Sequence, residues 1–149
     1  MSREEAMKQR IRTGAIAARR RLEDVLLTLR DLPPSIDRAP LARLLEHALS
    51  GASTLSELDV EHERFFPTID ELTKIVGELS ADFASLGGST AVTRSHDRVR
   101  GVTESLRALR EASIDALVAM QDRRLHEGAR PSLSTPAEPF RASAGVPGF

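Results

Sequence analysis

The chain's capacity for chemistry starts with four histidines, His47, His62, His96 and His126, in the absence of any cysteine. Without cysteine there are no disulfides, no thiolate metal sites and no cysteine nucleophile. Only His62 sits among carboxylates, in Asp59-Val60-Glu61-His62-Glu63. On a helix, Asp59 and His62 share a face and could reach one metal ion. Di-metal centres of helical bundles, however, use Glu-x-x-His twice, with two further carboxylates. Here the spacing occurs once, with Asp in place of Glu. Neither a metal site nor a cofactor is expected. His96 falls on an apolar face and reads as a core or boundary histidine. Gly87-Gly88 lacks the Walker lysine and the G-x-G-x-x-G spacing of phosphate loops. Spacing supports no Ser–His–Asp arrangement, since triads assemble in space. The expectation leans away from an enzyme.

Elements that would position these residues are legible from periodicity. Residues 3–32 read as one long helix, with Ile11, Ala15, Ala18, Leu22, Val25, Leu29 and Leu32 at alternating spacings of four and three. Pro33-Pro34 ends it. The second helical region spans about 40–65, with a seam of Leu41, Leu45, Ala48, Ala52, Leu55 and Leu58 and Asp37 as a nearby cap. Gly51 is expected to kink it without ending it. Pro67, and Thr68 with Glu71 at capping-box spacing, open a third helix carrying Ile69, Leu72, Val76, Leu79, Phe83 and Leu86. Gly87-Gly88 stops it. Ser89 or Thr90 caps a fourth helix to about Glu127, with Val92, His96, Val99, Val102, Leu106, Leu109, Leu117 and Met120 as its seam. That register slips near Ser113 and Ile114, as a stutter would. No segment alternates long enough to be a strand. The predicted fold is all-α: an antiparallel bundle of about four helices over residues 1–127.

From Gly128 the composition changes to GARPSLSTPAEPFRASAGVPGF. Residues 128–149 read as a flexible Pro/Gly/Ser-rich, disordered tail. Phe140 and Phe149 are its candidate partner-binding residues, each able to enter a pocket on another protein.

Composition narrows the partners. The 149 residues carry a net charge of -1, and only 3% are aromatic, with no Trp and no Tyr. A base-stacking platform has no rings to use, and bulk charge does not favour nucleic acid or an anionic membrane. The neutral total hides a dipolar chain. Lys8, Arg10, Arg12, Arg19, Arg20 and Arg21 form an acid-free basic run. Glu57, Asp59, Glu61, Glu63, Asp70, Glu71, Glu78 and Asp82 form an acidic one. The three consecutive arginines sweep about 200° of the first helix, which does not gather them on one face for a polyanion. Opposed basic and acidic flanks setting helix order is the expected use. No stretch approaches the roughly 20 apolar residues of a membrane span. The polar Ser2-Arg3-Glu4-Glu5 start does not read as a signal peptide, and the chain is expected to be cytoplasmic.

One local segment, His47-Ala48-Leu49-Ser50-Gly51-Ala52-Ser53-Thr54-Leu55, resembles the signature of histidine-containing phosphotransfer domains. That family is a helical bundle whose phosphorylatable histidine stands in His-x-Leu-Lys-Gly, followed by small residues. His47, Leu49 and Gly51 match. Ser50 stands at the lysine position, and Arg43, one turn before His47, is the candidate substitute for its charge. The resemblance implies that His47 is an exposed phosphoacceptor and that Gly51 leaves room for a receiver domain. Two functions are therefore expected. The first is a non-catalytic, self-associating helical interaction or adaptor protein whose tail docks a protein partner. The alternative is a phosphotransfer protein acting through His47.

Overall fold

The computed structural model describes the backbone of residues 2–134 and the side chains of residues 2–126. Phe140, Phe149 and the rest of the proposed tail beyond Ser134 lie outside the described residues. Within these limits the chain is an all-helical bundle of α1 (Arg3–Thr28), α2 (Ala39–Glu57), α3 (Phe65–Ala84) and α4 (Thr90–Ser134). It divides into two units, Met1–Ile114 and Asp115–Phe149.

In the first unit, α1 starts on a capping box. The Ser2 hydroxyl accepts the Glu5 N–H, and the Glu5 carboxylate accepts the Ser2 N–H, each at 3.0 Å. That backbone donor, with the Ser2 side chain, holds the Glu5 carboxyl below its usual range. The helix buries Ile11, Ala15, Ala18, Leu22, Val25 and Thr28, the heptad seam read from the sequence with Thr28 added. It tightens into a single 3-10 turn at Leu29–Asp31 ahead of Pro33-Pro34. Arg38 closes the connection by donating to the Leu32 carbonyl at 2.9 Å, and Asp37 accepts the Ala39 N–H at the start of α2.

α2 passes through Gly51 without a break and ends at Glu57, short of the expected extension to residue 65. The reason lies in residues 58–64. The Asp59 carboxylate accepts the Glu61 N–H at 2.9 Å, and the His62 ring accepts the Arg64 N–H at 3.0 Å. Such local side-chain acceptors compete with helical hydrogen bonds and favour a turn. Val60 from this turn is buried. α3 then begins at Phe65, ahead of Pro67. The predicted Thr68 cap is not made, because the Thr68 hydroxyl donates back to the Arg64 carbonyl at 2.7 Å. Phe65, Ile69, Leu72, Ile75, Val76, Leu79 and Phe83 are buried along α3. Gly87, at φ +90°, takes the left-handed conformation that lets the chain reverse after α3. Ser89 accepts the Val92 N–H and caps α4.

Cross-helix contacts fix an antiparallel order. A Cβ at Gly14 would lie 3.0 Å from Leu109, and Thr28 meets Ser95, so α1 and α4 run in opposite directions. Ser80 meets His96 while Asp70 meets Arg110, which does the same for α3 and α4. Arg110 also lies over the Phe66 ring at 5.8 Å, a cation–π contact beside its 3.0 Å bond to Asp70. The α1–α2 and α2–α3 pairs are joined by the short connections already described.

α4 corrects the seam read from the sequence. Its buried positions in the first unit are Val92, Ser95, Val99, Val102, Leu106, Leu109 and Ser113. Ser95, not His96, occupies the core position, and Ser113 continues the three–four alternation without a stutter. Each serine is satisfied in place. Thr28 donates to the Val25 carbonyl at 2.6 Å and shares a 2.8 Å hydrogen bond with the Ser95 hydroxyl. Ser113 donates to the Leu109 carbonyl at 2.7 Å. His96 stands half-buried on the flank, 3.1 Å from the Ser80 hydroxyl.

The second unit continues α4 past Glu127 to Ser134, beyond the boundary drawn from composition. Pro131 forfeits one backbone donor there. Ala116 and Met120, not Leu117 and Met120, are its buried residues. Val118 and Leu125, one heptad apart, are 58% and 74% exposed.

Candidate functional site

The residues of the phosphotransfer-like segment come together on the surface of the first unit. The α2 seam buries Leu45, Ala48 and Ala52, which leaves His47 exposed on the flank of the helix. Gly51, one turn on, has only the Leu72 methyl within contact of a would-be Cβ, at 3.6 Å. The two helices leave an open hollow there of about 300 Å³. His47, Gly51 and Thr54 line it from α2; Thr68, Glu71 and Leu72 face them from α3. Its cation is Arg64, at the N-cap of α3. Arg43 is exposed one turn before His47 and is not among the lining residues. No signal within the nine-residue segment could have found Arg64, because the turn between α2 and α3 brings it in.

Chemically, the hollow offers an accessible imidazole, a guanidinium and two threonine hydroxyls, with the Glu71 carboxylate opposing any anion. The floor is apolar, formed by Leu72 and Ile75.

Asp59 and His62 are placed elsewhere and do not form a pair. Both lie in the turn after α2, so they do not share a helix face from which both could reach one metal. His62 spends its Nδ1 on the Arg64 N–H. Asp59 lies 3.1 Å from the Lys8 ammonium, which also meets Glu61 at 3.3 Å. Here the basic start of α1 faces the acidic turn, as the charge pattern anticipated. Burial pushes the Asp59 carboxyl up, but the Glu61 N–H and Lys8 outweigh it and hold the group below its usual range. The Asp59 hydrogen bond raises Lys8 correspondingly, against a smaller desolvation effect. Among the described residues no cluster of three or more histidines and carboxylates could hold a metal.

The chain matches no protein-family model, no curated protein and no solved structure.

Among the described residues no helix is long and apolar enough to cross a membrane. The large exposed apolar side chains among the described residues are Leu27, Ile114, Val118 and Leu125, the last three on α4. A second open hollow, of about 500 Å³, lies between α1 and α4 and is lined by Arg21, Asp24, Arg94, Asp97, Arg98 and Gly101.

Proposed function

We propose that the chain is a cytoplasmic, non-catalytic helical-bundle interaction protein that self-associates and serves as an adaptor. The observation that carries this reading is the exposed Val118–Leu125 face of α4. Two large apolar residues one heptad apart, on a helix whose Ala116 and Met120 are already buried, form a second apolar edge. Water contact with that edge is relieved when another helix covers it. The first unit supports the same reading, because most of its large apolar residues are spent on regular seams and the hollows described above are open. Static light scattering tests self-association: the full chain is expected to give at least twice the 16.3 kDa chain mass. A monomer at high concentration removes self-association from the proposal. The tail residues Phe140 and Phe149 remain the proposed contacts for a further protein partner.

A second reading rests on a specific observation: His47 is exposed beside Gly51, with Arg64 lining the same hollow. In that reading a receiver's aspartyl phosphate donates its phosphoryl group to an imidazole nitrogen of His47. The P–O bond breaks, the P–N bond forms, and the aspartate leaves as a carboxylate. Arg64, not Arg43, would offset the phosphoryl charge. The expected result is acid-labile labelling of the wild-type chain by a phosphorylated receiver, abolished by His47→Gln. A wild-type chain that never labels overturns this reading.

A further inference from the structure

Two arginines on α4 and one on α1 converge on the hollow between these helices. Arg94, Arg98 and Gly101 lie on one face of α4, at spacings of four and three. Arg21 reaches across from α1: its Nη1 lies 3.3 Å from where a Cβ of Gly101 would be. A Cβ there would make the guanidinium give by a few tenths of an ångström, so the glycine lets it approach α4 closely. A second hollow, of about 360 Å³, lies next to this one of about 500 Å³, at the start of α4. The two share Arg94 and Asp97, and the second adds Gly88, Thr90 and Thr93. Together they make a trough open to solvent along the first turns of α4.

Arg21, Arg94 and Arg98 make no ion pair or hydrogen bond among the described residues. Two acids lie among them. Asp97 is 3.6 Å from Arg100, which is outside the lining, so its charge is partly met there. The antiparallel register places Asp24 beside the turn carrying Arg98. The trough thus has a positive excess interrupted by fixed negative charges.

We propose that this trough docks an acidic peptide segment of a partner protein, in extended conformation, through carboxylates on alternate residues. Arg94 and Arg98 are one helical turn apart, a rise of about 6 Å. Alternate residues of an extended chain are about 6.6 Å apart and point the same way. Successive carboxylates therefore match successive guanidiniums, each a charge-assisted fork. With Asp24 and Asp97 among the three arginines the lining carries a net charge of only +1. That is too little for the dense phosphate charge of a duplex, about one per 1.7 Å, but enough for a short segment with a few spaced carboxylates. The open length suits a segment better than a single enclosed ion. The inference rests on the reading of the chain as an interaction protein, and it specifies a partner surface separate from the Val118–Leu125 face.

Fluorescence anisotropy with a labelled peptide of alternating glutamate and alanine tests it on the full chain at low salt. Binding is expected, and the same peptide with glutamine in place of glutamate is expected not to bind. Arg21→Gln, Arg94→Gln and Arg98→Gln should each weaken binding about threefold to tenfold, whereas Arg107→Gln, an exposed arginine of α4 outside the trough, should leave it unchanged. Circular dichroism checks that the variants remain helical. Gly101→Leu, which crowds Arg21, should also weaken binding. Absence of peptide binding overturns the proposal, as does equal loss with Arg107→Gln. Displacement by inorganic phosphate at concentrations where chloride has no effect would make the trough a phosphate site instead. Self-association lost with Arg94→Gln and Arg98→Gln would make a second copy its occupant. Light scattering reads assembly independently, so failure of peptide binding and failure of the interaction reading give different results.

Discussion

Phe83→Ala is expected to lower the unfolding free energy by about 3–5 kcal/mol. Phe83 is fully buried near the end of α3 and is among the largest enclosed side chains of the bundle. Truncation removes an aromatic ring from a packed interior and leaves a cavity that the surrounding helices close only in part. A domain of this size has about 5–15 kcal/mol of stability in total, so the loss is a large share of it. Leu27 provides the contrast. It lies on α1, is 55% exposed, and Leu27→Ala is expected to change stability by no more than about 0.5 kcal/mol. Urea unfolding followed by far-UV circular dichroism compares the two. Equal effects would contradict the assignment of the core.

Ser95→Asp is the second substitution with a large expected effect, about 3 kcal/mol or more at neutral pH. Ser95 is fully buried, and its hydroxyl meets Thr28 across the α1–α4 interface. A carboxylate there loses its hydration, and no basic residue is bonded to the Thr28–Ser95 pair. Burial raises the pKa of the introduced carboxyl above its unfolded value. Its cost is therefore greatest where the unfolded chain carries the charge, and it shrinks as the pH falls and the group is protonated. His96→Asp, at the next residue, removes only the half-buried bond to Ser80 and is expected to cost about 0.5–1.5 kcal/mol. Chemical denaturation at neutral and acidic pH measures both. The opposite ranking would return the seam to His96.

This pair also explains which parts of the fold were legible in the sequence. α3 could be read almost whole, because Ile69, Leu72, Val76, Leu79 and Phe83 are all strongly apolar at regular spacing. In α4 the pattern misled where a core position is polar. Ser95 and Ser113 satisfy their hydroxyls through Thr28 and the Leu109 carbonyl. A reading by apolar spacing shifts to His96 and Leu117 and creates a stutter that the helix does not have. The apolar pattern overruns the end of α2 because Leu58 prolongs its seam. The Asp59 and His62 side-chain acceptors that turn the chain there are seen only once it is folded.

The candidate site was legible in one half. His47 and Gly51 stand on one helix, and the position of Ala48 in the seam was enough to place His47 on the exposed flank. The other half comes from α3. Arg64, Thr68 and Glu71 reach the hollow only because the turn at 58–64 folds α3 back along α2. The arginine trough shows the same limit. Arg21 is distant in sequence from Arg94 and Arg98, and Gly101 gives no sign in the sequence that it admits a guanidinium.

If the Val118–Leu125 face of α4 joins copies, as proposed, assembly depends on those two side chains. Sedimentation equilibrium of the wild-type chain and of the double variant Val118→Glu, Leu125→Glu tests it most directly. Both residues are exposed, so two added carboxylates should leave helicity unchanged. The expected result is an assembled wild type and a monomeric, fully helical variant. A variant that assembles as the wild type does, or a wild type that is already a monomer, would contradict it.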